Sequence, residues 1–120
     1  MNITIKTTQH ELTPSVQRLV EEKFATLGKI VENPQSPAML SCEIEESIAA
    51  VRAGAKYRAE GNLSVDGKLF RAEAENSTLE GAIDRVRDEL VREVGRTSGK
   101  ERGLMKRGGA ALKRMLRFGR

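Results

Sequence analysis

Few of the 120 side chains are of a type that does chemistry, and their spacing argues against catalysis. With one histidine, His10, and one cysteine, Cys42, the chain cannot assemble a histidine pair, a multi-histidine or cysteine-cluster metal site, or an internal disulfide. Cys42 falls in an alternating apolar run, a common setting for an inert buried thiol, and His10 sits in a short turn before Thr13, where a plain surface or turn role is expected. Carboxylates are plentiful. Glu43, Glu45, Glu60, Glu73 and Glu75, however, occupy alternate positions of strand-like segments and so share one solvated face, not a cleft. No Walker loop, dinucleotide fingerprint or nucleophile elbow is present, because no glycine cluster follows a strand at the required spacing. The expectation is a non-enzymatic protein with no cofactor, no metal and no small-molecule substrate.

The cations say more. Residues 1–95 hold 12 basic and 16 acidic side chains, a net of −4, whereas residues 96–120 hold nine basic side chains against Glu101 alone, a net of +8. Such a segment attracts polyanions by counterion release, and RNA or an anionic membrane would satisfy that term equally. Upstream of it, Arg85, Arg92 and Arg96 fall within roughly 40° of one another on a helical wheel, and that line continues toward Lys100 and Arg102. Helix and tail are thereby placed to track successive phosphates of one RNA surface. The competing reading is a salt-bridged solvent face, because Asp88, Glu89 and Glu93 intervene; Arg87 points elsewhere. Phe24, Phe70, Phe118 and Tyr57 are the only aromatic residues, too few and too core-like for a platform that stacks unpaired bases, which leaves backbone and shape recognition of folded RNA.

The elements that must position these cations follow from periodicity. Ile3 and Ile5 alternate with Thr4 and Lys6 as a first strand. Thr13 caps a helix with Pro14 in its first position; Val16, Leu19, Val20, Phe24 and Leu27 follow helical spacing, and Gly28 is expected to supply a left-handed stop. A loop over 32–38 leads to a second strand with Leu40, Cys42 and Ile44 inward, and a third strand places Tyr57, Ala59, Gly61, Leu63 and Val65 on one side. Asp66-Gly67 predicts a two-residue type I′ hairpin, with Val65 opposite Lys68, Leu63 opposite Phe70, Gly61 opposite Ala72 and Ala59 opposite Ala74. On the outer face that register sets Arg58 against Glu75, Asn62 against Arg71, and Glu60 against Glu73 as a like-charge pair. Ser77 and Glu80 have the form of a capping box for a helix carrying Leu79, Ala82, Ile83, Val86, Leu90 and Val94, which Gly95 to Gly99 should fray or end.

The fold class is therefore α+β, in the order β-α-β-β-β-α: a four-stranded sheet with both helices on one face. Residues 1–97 make the domain and 98–120 a basic amphipathic tail, expected to be flexible. In the tail Leu104, Met105, Ala111, Leu112, Met115 and Leu116 group opposite Lys106, Lys113, Arg114 and Arg117, while Gly108-Gly109 costs about 2 kcal/mol of helix stability. Lys106, Arg107, Lys113, Arg114 and Arg117 are candidate contacts to RNA or to a membrane surface. No run of about eighteen apolar residues exists to cross a bilayer, and the first dozen residues lack a secretory pattern, so a cytoplasmic location is expected.

Asn2-Ile3-Thr4, Glu11-Leu12-Thr13-Pro14, Lys23-Phe24-Ala25-Thr26-Leu27, the Asp66-Gly67 hairpin, and Ala82-Ile83-Asp84 with Asp88, Leu90 and Arg92 resemble, in order and spacing, the ribosome hibernation-promoting factor family, also described as ribosome-associated inhibitors or sigma-54 modulation proteins. The resemblance covers about residues 1–97. It implies a domain shaped like double-stranded RNA-binding domains that binds small-subunit rRNA, occupies the channel for messenger and transfer RNA, and silences ribosomes under stress. It also implies basic contacts at Arg92, Arg96 and Lys100, with Lys23 and Lys29 on the first helix; Arg85 is added by the helical wheel. Thr78 and Glu80 stand where the family usually has aspartate and tyrosine, and Glu89 where it has lysine. With no room for the second, dimerising domain of long-form members, a short-form translation inhibitor, monomeric off the ribosome, is expected. The alternatives are an adaptor docked to an anionic membrane by the tail, and a protein-binding regulator of transcription.

Overall fold

The computed structural model describes residues 1–46 and 56–100, in the order β1 (Asn2–Thr8), α1 (Pro14–Ile30), β2 (Met39–Glu46), β3 (Tyr57–Val65), β4 (Lys68–Asn76) and α2 (Leu79–Lys100). The sheet order is β1-β2-β3-β4, with β1 parallel to β2 and the other pairs antiparallel. The parallel pair follows from the α1 crossover, which returns the chain to the end of the sheet where β1 began. The hairpin has the register read from Asp66-Gly67, from Val65↔Lys68 through Ala59↔Ala74. Both turn residues take positive φ, 51° at Asp66 and 79° at Gly67, the geometry that matches the twist of the flanking strands.

Alternation divides the sheet into two faces. Leu40, Cys42, Ile44, Ala59, Leu63, Val65, Phe70 and Ala72 point to one side and share a single buried cluster with Val20, Phe24, Leu27, Ile83, Val86, Leu90 and Val94 of the two helices. Both helices therefore lie on that side. Burial pushes the Cys42 thiol up to about 12, with a smaller push from Glu43, so it is a small apolar core residue and no nucleophile.

Three local expectations are corrected. The stop at Gly28 does not occur: α1 runs on to Ile30, Val31 N–H donates to the Leu27 carbonyl at 3.1 Å, and both Ile30 and Val31 are buried. Burying two large aliphatic side chains gains about 1.5–3 kcal/mol each, more than the roughly 1 kcal/mol that a helical glycine costs. The cap of α2 is not Ser77 but Thr78, whose Oγ1 accepts from the Gly81 N–H at 3.0 Å while Asn76 Oδ1 accepts from the Thr78 N–H at 3.2 Å. Helix α2 also does not stop at Gly95 to Gly99 but runs to Lys100, with Val94 and Gly95 both buried.

Glu60 is not solvated as its alternation suggested; it is 8% exposed. Its carboxylate accepts from Asn62 Nδ2 at 3.0 Å, Arg58 Nη2 at 2.9 Å and Arg71 Nη2 at 3.0 Å, and Arg58 also holds Glu73. The two guanidinium groups dissolve the like-charge conflict between Glu60 and Glu73. The Asn62 amide first, then Arg71 and Arg58, draw the Glu60 carboxyl down to about 2 although burial pushes it up. His10 Nδ1 lies 2.9 Å from Glu46 Oε1 and its ring meets Tyr57 edge-on, so it ties the β1–α1 turn to the end of β2.

Candidate nucleic-acid interface

Helix α2 is aimed by its apolar stripe. Ala82, Ile83, Val86, Leu90 and Val94 are fully buried against the sheet, and the spacings of seven and four then place Arg85, Arg92 and Arg96 together on one flank. The first of the three is structural. Arg85 Nη1 donates to the backbone carbonyl of Glu75 at 3.0 Å. In a two-residue hairpin the odd-numbered residues of β4 direct their N–H and C=O away from β3, so Arg85 covers a carbonyl on the open edge of the sheet.

Arg92 and Arg96 stand clear of the sheet, with side chains 63% and 58% exposed. Each leans on the carboxylate one turn earlier: Arg92 Nη1 on Glu89 Oε2 at 2.6 Å, and Arg96 Nη2 on Glu93 Oε1 at 2.9 Å. The intervening acids are thus engaged as the salt-bridged reading anticipated, yet neither guanidinium is turned inward. Exposed pairs of this kind contribute about 0.2–1 kcal/mol, and a carboxylate occupies only part of a five-donor fork.

The opposite flank of α2 is closed. Arg87 binds Asp84 at 3.1 Å and Asp88 at 2.9 Å, and Lys23 of α1 reaches across to Glu80 Oε1 at 2.8 Å and Asp84 Oδ1 at 3.1 Å. Hydrogen bonds donated to Glu80 and then Asp84 raise the Lys23 ammonium above its ordinary range. This clasp was not expected from the sequence, although Glu80 and Asp84, four residues apart on one side of α2, signalled a cation between them. Glu80 serves the clasp and not a capping box. Lys29 is exposed in the last turn of α1, where a cation suits the carbonyl end of a helix.

Lys100 ends α2, four residues after Arg96. Arg102, Lys106, Arg107, Lys113, Arg114 and Arg117, with the tail assigned to RNA or membrane contact, lie outside the described residues. Among the described residues no group of three histidine, cysteine or acidic side chains is gathered for a metal, and no helix is long and apolar enough to cross a membrane.

Comparison with known proteins gives the same architecture a context. A family model described as "Sigma 54 modulation protein / S30EA ribosomal protein" matches residues 3–102. No curated protein sequence gives a significant match. Among solved structures, the N-terminal domain of Protein Y from Thermus thermophilus is 31% identical, with a TM-score of 0.66 over 81% of this chain and 99% of that one. A ribosomal subunit interface protein from Coxiella burnetii shares the fold at 14% identity, with a TM-score of 0.64 over 82% of this chain and 99% of that one.

Proposed function

The chain belongs to the sigma 54 modulation protein / S30EA ribosomal protein family, and from that premise we propose that this ribosome-associated modulation factor binds small-subunit rRNA and occupies the channel used by messenger and transfer RNA. It acts without catalysis, by filling a space and silencing the particle, and works as a monomer in the cytoplasm. The contacts are phosphate contacts made by Arg92, Arg96 and Lys100, continued by Arg102 and the cations of the tail. Arg85 stands at the near end of the same line. Lys29 lies apart on α1, and Lys23 contributes through the clasp that fixes the two helices.

The observation that carries this surface is the exposure of Arg92 and Arg96 on the flank that runs directly into residues 101–120, a segment of net charge +6. Each phosphate neutralised releases counterions, so affinity should fall steeply with salt. The test is co-sedimentation with isolated small subunits on sucrose gradients at two salt concentrations. Arg92→Glu with Arg96→Glu abolishes association, and Asp88→Ala, on the far flank, leaves it intact. Wild-type sedimentation of the double variant would show that a different surface binds.

The sigma 54 half of the family's description favours one second reading, a protein-binding regulator of transcription. Partner binding nearly insensitive to salt, and unaffected by the two arginine reversals, would select it.

A further inference from the structure

The face of the sheet away from the helices carries two exposed apolar side chains, Met39 and Leu69, at one end and acids at the other. Cross-strand register aligns Asn2, Met39, Ser64 and Leu69 beside the hairpin turn, with Met39 49% and Leu69 81% exposed. Toward the far end lie Glu43, Glu45 and Glu75, outside the cluster in which Arg58 and Arg71 satisfy Glu60 and Glu73; among the described residues of this face, Lys6 is the one cation not engaged in that cluster. Among the described residues no helix or strand covers this face.

We infer that residues 101–120 of this same chain dock on the outer face of the sheet when no nucleic acid holds them. Charge is the first argument: residues 1–100 hold 14 basic and 16 acidic side chains, a net of −2, whereas residues 101–120 hold seven basic and one acidic, a net of +6. Position is the second. Arg85 lies against Glu75, and Val86 and Leu90 lie over Gly61, whose partner on β4 is Ala72, so α2 runs back along β4 toward the hairpin. Ten further residues add about 15 Å beyond Leu90, and Gly61 to Val65 spans about 13 Å. Helix α2 therefore ends level with the row of Met39 and Leu69.

The chain thus leaves α2 on the helix side of the sheet at its hairpin end and passes round that end to reach Met39 and Leu69; its first large side chains, Leu104 and Met105, are apolar. Beyond them come Lys106, Arg107, Lys113, Arg114 and Arg117, for the acidic end. Twenty residues reach about 66 Å when extended, against about 30 Å for a nine-residue strand, so the span is not limiting. Docking and RNA binding draw on the same cations and exclude one another, which makes the contact a salt-sensitive latch. The docking concerns the free protein; its competition with RNA rests on the ribosomal reading.

The test places a nitroxide label at Gly119→Cys in the full chain, Cys42 being buried and a wild-type sample serving as the control for its labelling. Amide signals are then read in 15N-labelled protein before and after reduction of the nitroxide. Docking predicts that Glu43, Glu45 and Glu75 lose about half their intensity at low salt and recover it near 0.5 M salt, where charges are screened within a few ångström; exposed α1 residues such as Gln17 and Arg18 stay unchanged. Glu43→Lys, Glu45→Lys and Glu75→Lys together remove the effect. No loss at the sheet, or equal loss across the helices, overturns the proposal. Loss seen only between separate chains in a mixed sample overturns it in favour of a second copy as occupant. Because no ribosome is present, none of these failures touches the sedimentation result.

Discussion

Gly61 on β3 and Val86 on α2 approach so closely that a β-carbon added at Gly61 would stand 2.9 Å from Val86 Cγ1, and 3.0 Å from Leu90 Cδ1. The missing side chain is what lets α2 settle on the sheet at the depth that fixes the direction of its arginine flank. Alanine at Gly61 would gain about 0.4–1 kcal/mol by stiffening the unfolded chain, but forcing a methyl group into packed aliphatic atoms costs about 1–3 kcal/mol. The second effect wins. Gly61→Ala should lower the urea midpoint with an unchanged slope, and adding Val86→Ala should cost less than the sum of the two single variants, because the clash and the cavity compensate.

The start of α2 gives a second test. Thr78 Oγ1 holds the Gly81 N–H, so Thr78→Ala should cost about 1 kcal/mol. Among the described residues Ser77 bonds Asn76 and no helix N–H, so Ser77→Ala should change the unfolding free energy by less than about 0.5 kcal/mol. The reverse ranking would restore Ser77 as the cap.

Period-2 patterning made the strands and their register readable in advance, because a slip of one residue would have exchanged the whole inward set, Leu63, Phe70, Ala72 and the rest, for charged side chains. Helix ends were less readable. At Gly28 and Gly95 local propensity favoured a stop, and burial of Ile30, Val31 and Val94, which depends on distant strands, decided otherwise. The arginine line was visible as a spacing, but which of its members would bond the chain's own backbone was not. Arg85 bonds a carbonyl ten residues back in the chain, and Lys23 meets acids 57 and 61 residues away, so neither partner falls within the reach of a helical wheel. The burial of Glu60 was not readable either: alternation placed it on a solvated face, and it is covered because Arg58 and Arg71 converge on it beside Glu73.

That cluster has a pH signature. The Glu60 carboxyl ordinarily titrates near 4.5 and is held at about 2 in the folded chain, so the proton binds the unfolded state more tightly. The stabilisation is fully present above pH 4.5 and is lost as pH falls from there toward 2. Allowing for solvent around Arg71, its size is about 2 kcal/mol. Glu60→Gln should therefore be less stable than wild type at pH 7, and the two denaturation curves should converge as the pH approaches 2. A constant difference across that window would assign the loss to packing instead of charge.

Lys23 and Arg92 separate the two flanks of α2 by their response to salt. If Arg92 meets a phosphate, Arg92→Gln should lower the slope of log affinity against log salt by about 0.9, because one set of counterions is no longer released. Lys23 has its ammonium between Glu80 and Asp84, and moving it to a phosphate would strand both carboxylates beside the RNA. Lys23→Gln should then leave the slope unchanged, whatever it does to the melting temperature. Small-subunit binding titrated between about 50 and 200 mM salt resolves a change of that size. An equal loss of slope in both variants would mean that the clasp opens on the particle and that the face of α1 belongs to the interface as well.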